Sequence, residues 1–276
     1  MKQIFIYILS MTTLLFCLNK PGLCNDSMAD IKAGGLVLKQ TQDIRMVKED
    51  LYLSLKEVRV SYVFENISAS DITTTVAFPV PDIPANPEGD INIDLSLDNP
   101  LSFSVMANGL PIPVRTEKKN VGDKVVLTYF WEQIFPAKKQ LTISHRYLPA
   151  YGSSQLPINL EKVEETIPYS SDEKSLYCMD PGFVAASKKM IIEAVKKDRY
   201  PQLTFMGYIL TTGSNWKGPI GEFNLIIEKV NEKDLLSLCI NGIKKTGPKT
   251  FEVHEKNYVP KKDIAIAFLL ESFLER

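Results

Sequence analysis

The stretch Glu57-Val58-Arg59-Val60-Ser61-Tyr62-Val63-Phe64-Glu65-Asn66 carries most of the information about the fold. Val58, Val60, Tyr62 and Phe64 fall on one face, while Glu57, Arg59, Ser61 and Glu65 fall on the other. That period of two belongs to a half-buried β-strand. A polar run from Asn66 to Asp71 follows, and then Ile72, Thr74, Val76 and Phe78 alternate again. The two segments are expected to pair as an antiparallel hairpin across that polar turn. The run Phe78-Pro79-Val80-Pro81-Asp82-Ile83-Pro84 cannot continue a central strand, because each proline lacks a backbone donor. It is expected to leave the sheet as an extended edge segment.

The same logic extends to the rest of the chain. Asn108-Gly109, between Phe103, Val105 and Leu110, Ile112, Val114, is a strong hairpin signal, and Asn241-Gly242 repeats it after Leu236, Leu238 and Ile240. Residues 125–131 and 141–147 read as further strands, as do 203–212, 221–230, 235–240, 250–254 and 263–270. One helix stands out: Asp180 can cap it, and Pro181 suits its first position. Phe183, Ser187, Met190, Ile191 and Ala194 share a face, and Pro201 stops it. The expected fold is mainly β, α+β at most. Antiparallel sheets would form a sandwich-like half over residues 25–150, and residues 151–171 a boundary. A helix-plus-hairpin half over 172–276 would pack on the first.

The first two dozen residues read as an address. Lys2 gives a positive start, residues 4–18 are apolar and uncharged, and a polar break leads to Gly22 and Cys24. This is the layout of a secretory signal peptide, too short in its apolar part to span a bilayer. Removing residues 1–24 takes Lys2 and Lys20 and no acid. It would leave 252 of 276 residues and move the formal net charge from -1 to -3. Of four cysteines, Cys178 and Cys239 would remain, and in an oxidising compartment a disulfide between them is the favoured reading, with two free thiols as the alternative. The mature protein is expected to be periplasmic or secreted, with no integral membrane segment.

Composition narrows the chemistry. The chain is 45% hydrophobic and 24% charged, ordinary globular values, and its near-neutral charge argues against a nucleic-acid partner. Two histidines and no Gly-x-Ser-x-Gly elbow leave little for nucleophilic catalysis. His145 shares the apolar face of Leu141, Ile143 and Tyr147, so it reads as a core histidine, while His254 beside Glu252 reads as a surface one. Asp90, Asn92 and Asp94 begin like a calcium loop, but Ile91, Ile93, Leu95 and Leu97 alternate with them. An amphipathic strand with an acidic outer face is favoured over a metal site. No cofactor is implied. Trp131 and Trp216 read as packing residues, with Trp216 the better candidate for a partner-facing side chain.

Several strings occur together: Asn25-Asp26-Ser27-Met28-Ala29, Ala33-Gly34-Gly35-Leu36-Val37-Leu38, Asp43-Ile44-Arg45-Met46 and Glu49-Asp50-Leu51-Tyr52. They precede the strand at residues 58–66, then Tyr177-Cys178, residues 216–223 and Cys239. In combination they resemble a family of exported bacterial proteins known as domain of unknown function 4424. The resemblance implies a Gram-negative periplasmic or secreted protein with two cysteines available for pairing, and it brings no catalytic residue. The expectation is therefore a non-enzymatic binding protein that meets an unknown protein or surface ligand. The alternatives are a secreted hydrolase using an acidic or histidine site, and a structural component of an envelope assembly.

Overall fold

The computed structural model describes residues 27–32, 35–85, 90–156 and 169–271. The signal-like segment 1–24 and most of the boundary at 151–171 lie outside the described residues. Strands take 51% of the structure and helices 12%, so the protein is mainly β.

Eight strands form the largest sheet. Its centre is β3 (Ile44–Ser54) beside β4 (Val58–Asn66), followed by β12 (Gln140–Tyr147), β8 (Ser104–Ala107) and β9 (Leu110–Ile112). On the other flank of β3 come β15 (Ile220–Glu228), β18 (Thr250–Tyr258) and β17 (Lys244–Lys245). Strands from both ends of the chain thus share one sheet, and the β3–β15 pairing that joins them is parallel. Val58, Val60, Tyr62 and Phe64 are buried, as the alternation predicts. In the β8–β9 hairpin, Asn108 and Gly109 both have positive φ, 47° and 80°, the mirror-image turn that suits the twist of two strands.

A six-stranded sheet packs over this one. It comprises β1 (Ser27–Lys32), β2 (Gly35–Lys39), β5 (Ile72–Pro79), β6 (Ile83–Pro84), β10 (Arg115–Val121) and β11 (Lys124–Phe135). Aromatic rings join the two layers: Phe78 lies 5.5 Å from Tyr147 and Phe64 lies 5.8 Å from Phe135. The expected hairpin between residues 57–66 and 72–78 is therefore corrected: β4 and β5 sit in opposite sheets. Asn66 explains the crossing, because its Nδ2 donates to the carbonyls of both Ser70 and Phe135 and folds the turn toward the facing layer. The proline run stays on the sheet: Val80 N donates to Leu127 O and β6 pairs with the start of β11.

The third sheet has five strands: β7 (Asp90–Ile91), β13 (Tyr151–Gln155), β14 (Gln202–Tyr208), β16 (Leu235–Leu238) and β19 (Ile264–Leu270). Met206, Tyr208, Ile266 and Phe268 join the main core. Leu203, Ala267 and Leu269 face α2 (Pro181–Val195), whose Ile191 and Ala194 are buried. Asp180 caps α2 through Phe183 N, and a short α1 (Ser171–Leu176) precedes it with Ser170 and Glu173 as a capping box. Cys178 and Cys239 are bridged, fixing the α1–α2 corner to the end of β16. Asn241-Gly242 does not close a hairpin, since the turn carries the chain from β16 in one sheet to β17 in another.

Candidate functional site

A bulge in β3 sets the outward face of the eight-stranded sheet. Met46 pairs with Phe64 and Lys48 with Val63, so Val47 is an extra residue. Parity changes there: Ile44 and Met46 point inward before the bulge, and Glu49, Leu51 and Leu53 after it. Lys48, Asp50 and Tyr52 are thereby turned outward. Gly221 on β15 is fitted to the bulge, because a Cβ at that position would meet the Val47 carbonyl oxygen at 2.5 Å.

Two cross-strand rows follow from the register. One runs His254, Asn224, Asp50, Ser61, Ser144, Met106, and the next runs Glu252, Ile226, Tyr52, Arg59, Arg146, Ser104. Ser61 and Ser144 are short side chains between the taller Tyr52, Arg59, Arg146 and Met106. The result is a hollow of about 450 Å³ on the outer face, which also borders Asn224 and Ile226. A neighbouring hollow of about 470 Å³ shares Tyr52, Ser104 and Arg146 with it.

The polar groups around the hollow are held in place. Arg59 lies over the Tyr52 ring with its guanidinium carbon 4.1 Å from the centroid, and its Nη1 is 3.4 Å from Glu57 Oε1. Arg146 Nε is 2.9 Å from Glu57 Oε2, so one carboxylate serves two guanidinium groups. Tyr52 Oη donates to Glu228 at 2.8 Å, and burial with this acidic partner raises the phenol above its ordinary pKa. Asp50 accepts from Asn224 Nδ2 at 2.7 Å and is 3.0 Å from Lys48 Nζ, and the hydrogen bond with Asp50 raises the lysine's pKa. His254 hydrogen-bonds Asn224 and Glu252, which lowers the Glu252 carboxyl. Such a surface can bind through fixed dipoles, charges and apolar walls.

Of the residues singled out from sequence, His145 borders the hollow from beneath with its ring turned inward, and the others lie elsewhere. His145 packs edge-on to Trp131 at 5.2 Å and close to Tyr62, Phe78 and Phe103, inside the core. Trp216 is 3% exposed, 4.5 Å from Phe64 and 5.9 Å from Phe135, so it caps one end of the sandwich and does not face a partner. The residues Thr211–Asn215 that precede it form a 3₁₀ turn pinned by Asn215 Nδ2 to Ser27 and by Thr41 N to the Asn215 carbonyl. Asp90, Asn92 and Asp94 do not continue as an acidic-faced strand. Asn92 spends its amide on Pro149 O and Tyr151 N, and Asp94 accepts from both Ser96 groups, which turns the chain after β7. The strand alternation already put Arg59 and Ser61 on the polar face. Nothing local marked Tyr52, Asn224 or Ile226, which come together only through the bulge and the parallel pairing.

A family model described as a domain of unknown function, DUF4424, matches residues 24–128 and 124–267. No curated protein matches the chain. Among solved structures, the chain is similar to a Legionella pneumophila protein provisionally described as nutrient-binding, with a TM-score of 0.52 and 15% identity. The likeness covers 90% of this chain and 72% of that one. It is less similar to yeast LTA4 hydrolase, with a TM-score of 0.38 and 11% identity over 82% of this chain and 28% of that one. For the M1 zinc metallopeptidase of Deinococcus radiodurans the figures are a TM-score of 0.30 and 9% identity, over 83% and 43%. With the two family matches running from residue 24 to residue 267, the chain belongs to the DUF4424 family.

Proposed function

We propose that the protein is an exported bacterial binding protein, periplasmic or secreted, that takes a small molecule on the outer face of its eight-stranded sheet without transforming it. The hollow above Ser61 and Ser144 carries this reading. Its volume of about 450 Å³ is that of a small-molecule site, and its walls stand on strands and not on loops. The groups that border it are already engaged with one another in ion pairs and hydrogen bonds, which suits recognition by a rigid surface. The fold shared with the Legionella pneumophila protein fits a binding role. The signal-like residues 1–24 and the Cys178–Cys239 bridge support export, since such bridges persist in oxidising compartments.

The test uses the protein from its native host, in wild-type form and with Ser144→Trp, which fills the hollow. Mass spectrometry of the denatured samples should find a small molecule released by the wild type and absent from the variant. Equal recovery from both would move the binding surface elsewhere. An intact N-terminus in a cytosolic fraction would refute export.

A further inference from the structure

We infer that the hollow recognises a small organic acid, its carboxylate held by Arg59 and Arg146 and its apolar body lying against Met106 and Ile226. This deepens the binding reading and rests on it. Arg59 and Arg146 are direct partners in the β4–β12 register. Like charges directly opposite on a sheet face destabilise it, so stability alone does not account for this pair. Glu57 reaches both guanidinium groups but carries a single charge against two.

The geometry leaves donors for a ligand. Arg146 meets Glu57 through Nε, and Glu57 is the one carboxylate recorded beside it among the described residues. Its side chain is 73% exposed. A guanidinium has five N–H donors in a planar fork that matches a carboxylate. Arg59 is pre-oriented by the Tyr52 ring beneath it, so little freedom is lost when an anion docks. On the far side of the hollow Asp50 lies 3.0 Å from Lys48 Nζ, which weakens its repulsion of an incoming acid although Lys48 also reaches Glu222 at 3.9 Å.

The other walls indicate an organic acid and not a bare ion. Met106 is 46% exposed on the outward face of β8, and Ile226 stands beside Tyr52 in the next row. An inorganic oxyanion would leave these surfaces wet, whereas an apolar body would cover them. Thioether and aromatic walls also tolerate varied shapes.

Calorimetric titration of the full-length protein with benzoate, benzamide and inorganic phosphate tests this. Benzoate should bind, with benzamide and phosphate each about tenfold weaker or more, the usual consequence of losing a charge-assisted bond or the apolar contact. Arg146→Gln should weaken benzoate by about tenfold and leave benzamide unchanged, and because Arg146 is exposed the variant should fold. Arg59→Gln provides a second, independent loss. Equal binding of benzoate and benzamide, phosphate binding as tightly as benzoate, or no benzoate binding would each overturn the proposal. If any of these occurs while a native molecule still vanishes with Ser144→Trp, the acid class falls and the binding surface stands. If the native molecule survives Ser144→Trp, the surface itself falls.

Discussion

Removing the Cys178–Cys239 bridge should cost stability without changing the native fold. The bridge closes a separation of 61 residues, for which the chain-entropy relation gives about 4 kcal/mol. The corner it fixes has other ties. Ser237 Oγ donates to the carbonyls of Tyr177 and Cys178, and the Tyr177 ring stacks on Phe205 at 4.8 Å. Those contacts keep α1 against β16 when the sulfurs are separated, so the loss falls on the unfolded chain, which gains freedom. At about 2–4 °C per kcal/mol for a chain of this size, the melting temperature should drop by about 10 °C. Urea unfolding of the wild type with and without reductant, and of the double variant Cys178→Ser/Cys239→Ser, measures the free energy directly. The slope should rise slightly as the unbridged unfolded chain exposes more surface, and near-ultraviolet circular dichroism should be unchanged. A loss under about 1 kcal/mol would refute the entropic account. A changed native spectrum would show that the bridge holds the α1–α2 corner itself.

Other substitutions and conditions give equally definite outcomes. Gly221→Ala drives a methyl group into the Val47 carbonyl and should cost about 1–3 kcal/mol in urea unfolding, and an unshifted midpoint would mean that the bulge is not rigid. Asp180→Ala removes the cap of α2 and should cost about 1 kcal/mol, with Asp180→Asn restoring most of it, and equal loss in both would assign the effect to charge. Burial raises the phenols of Tyr129 and Tyr169 to about 12, against about 10 in an unfolded chain. Below about pH 10 both states keep these protons. Between about pH 10 and pH 12 the unfolded chain sheds them while the folded chain does not, so stability falls by up to about 1.4 kcal/mol per pH unit for each group. Urea midpoints that stay constant across that window would contradict the burial of these rings.

Local pattern revealed the strands and the main helix because the forces that form them are local. The alternation at residues 57–66 and 141–147 reports which side chains escape water, and Asp180-Pro181 reports a helix start. The sheet to which a strand belongs is a different matter. The polar run after Asn66 serves a hairpin or a crossing equally well, and the crossing is decided by a bond from Asn66 to Phe135 O, far along the chain. Glu49 is an acidic residue yet buried, with its Oε1 accepting from Tyr208 Oη at 3.2 Å, because the extra residue at Val47 reverses the parity that its neighbours suggest. Half of the candidate site was readable in the same way: Arg59 and Ser61 from their own strand, Ser144 and Arg146 from the facing positions of 141–147. Tyr52, Asn224 and Ile226 were not, since their place beside the others depends on the bulge and on a parallel pairing that leaves no periodic trace.

The parallel junction of β3 and β15 also orders events in time. Tyr52 and Glu228, hydrogen-bonded across it, are 176 residues apart, so the junction closes one of the longest loops in the molecule. Long-range pairings form late, after the entropy of closure has been met. Until β15 arrives, the first-made part of the chain presents β3 with one edge open, a template for association with other chains. A fragment ending before residue 220 should therefore self-associate, and the surface bordered by Asn224 and Ile226 exists only once the last third of the polypeptide has been laid down beside the first.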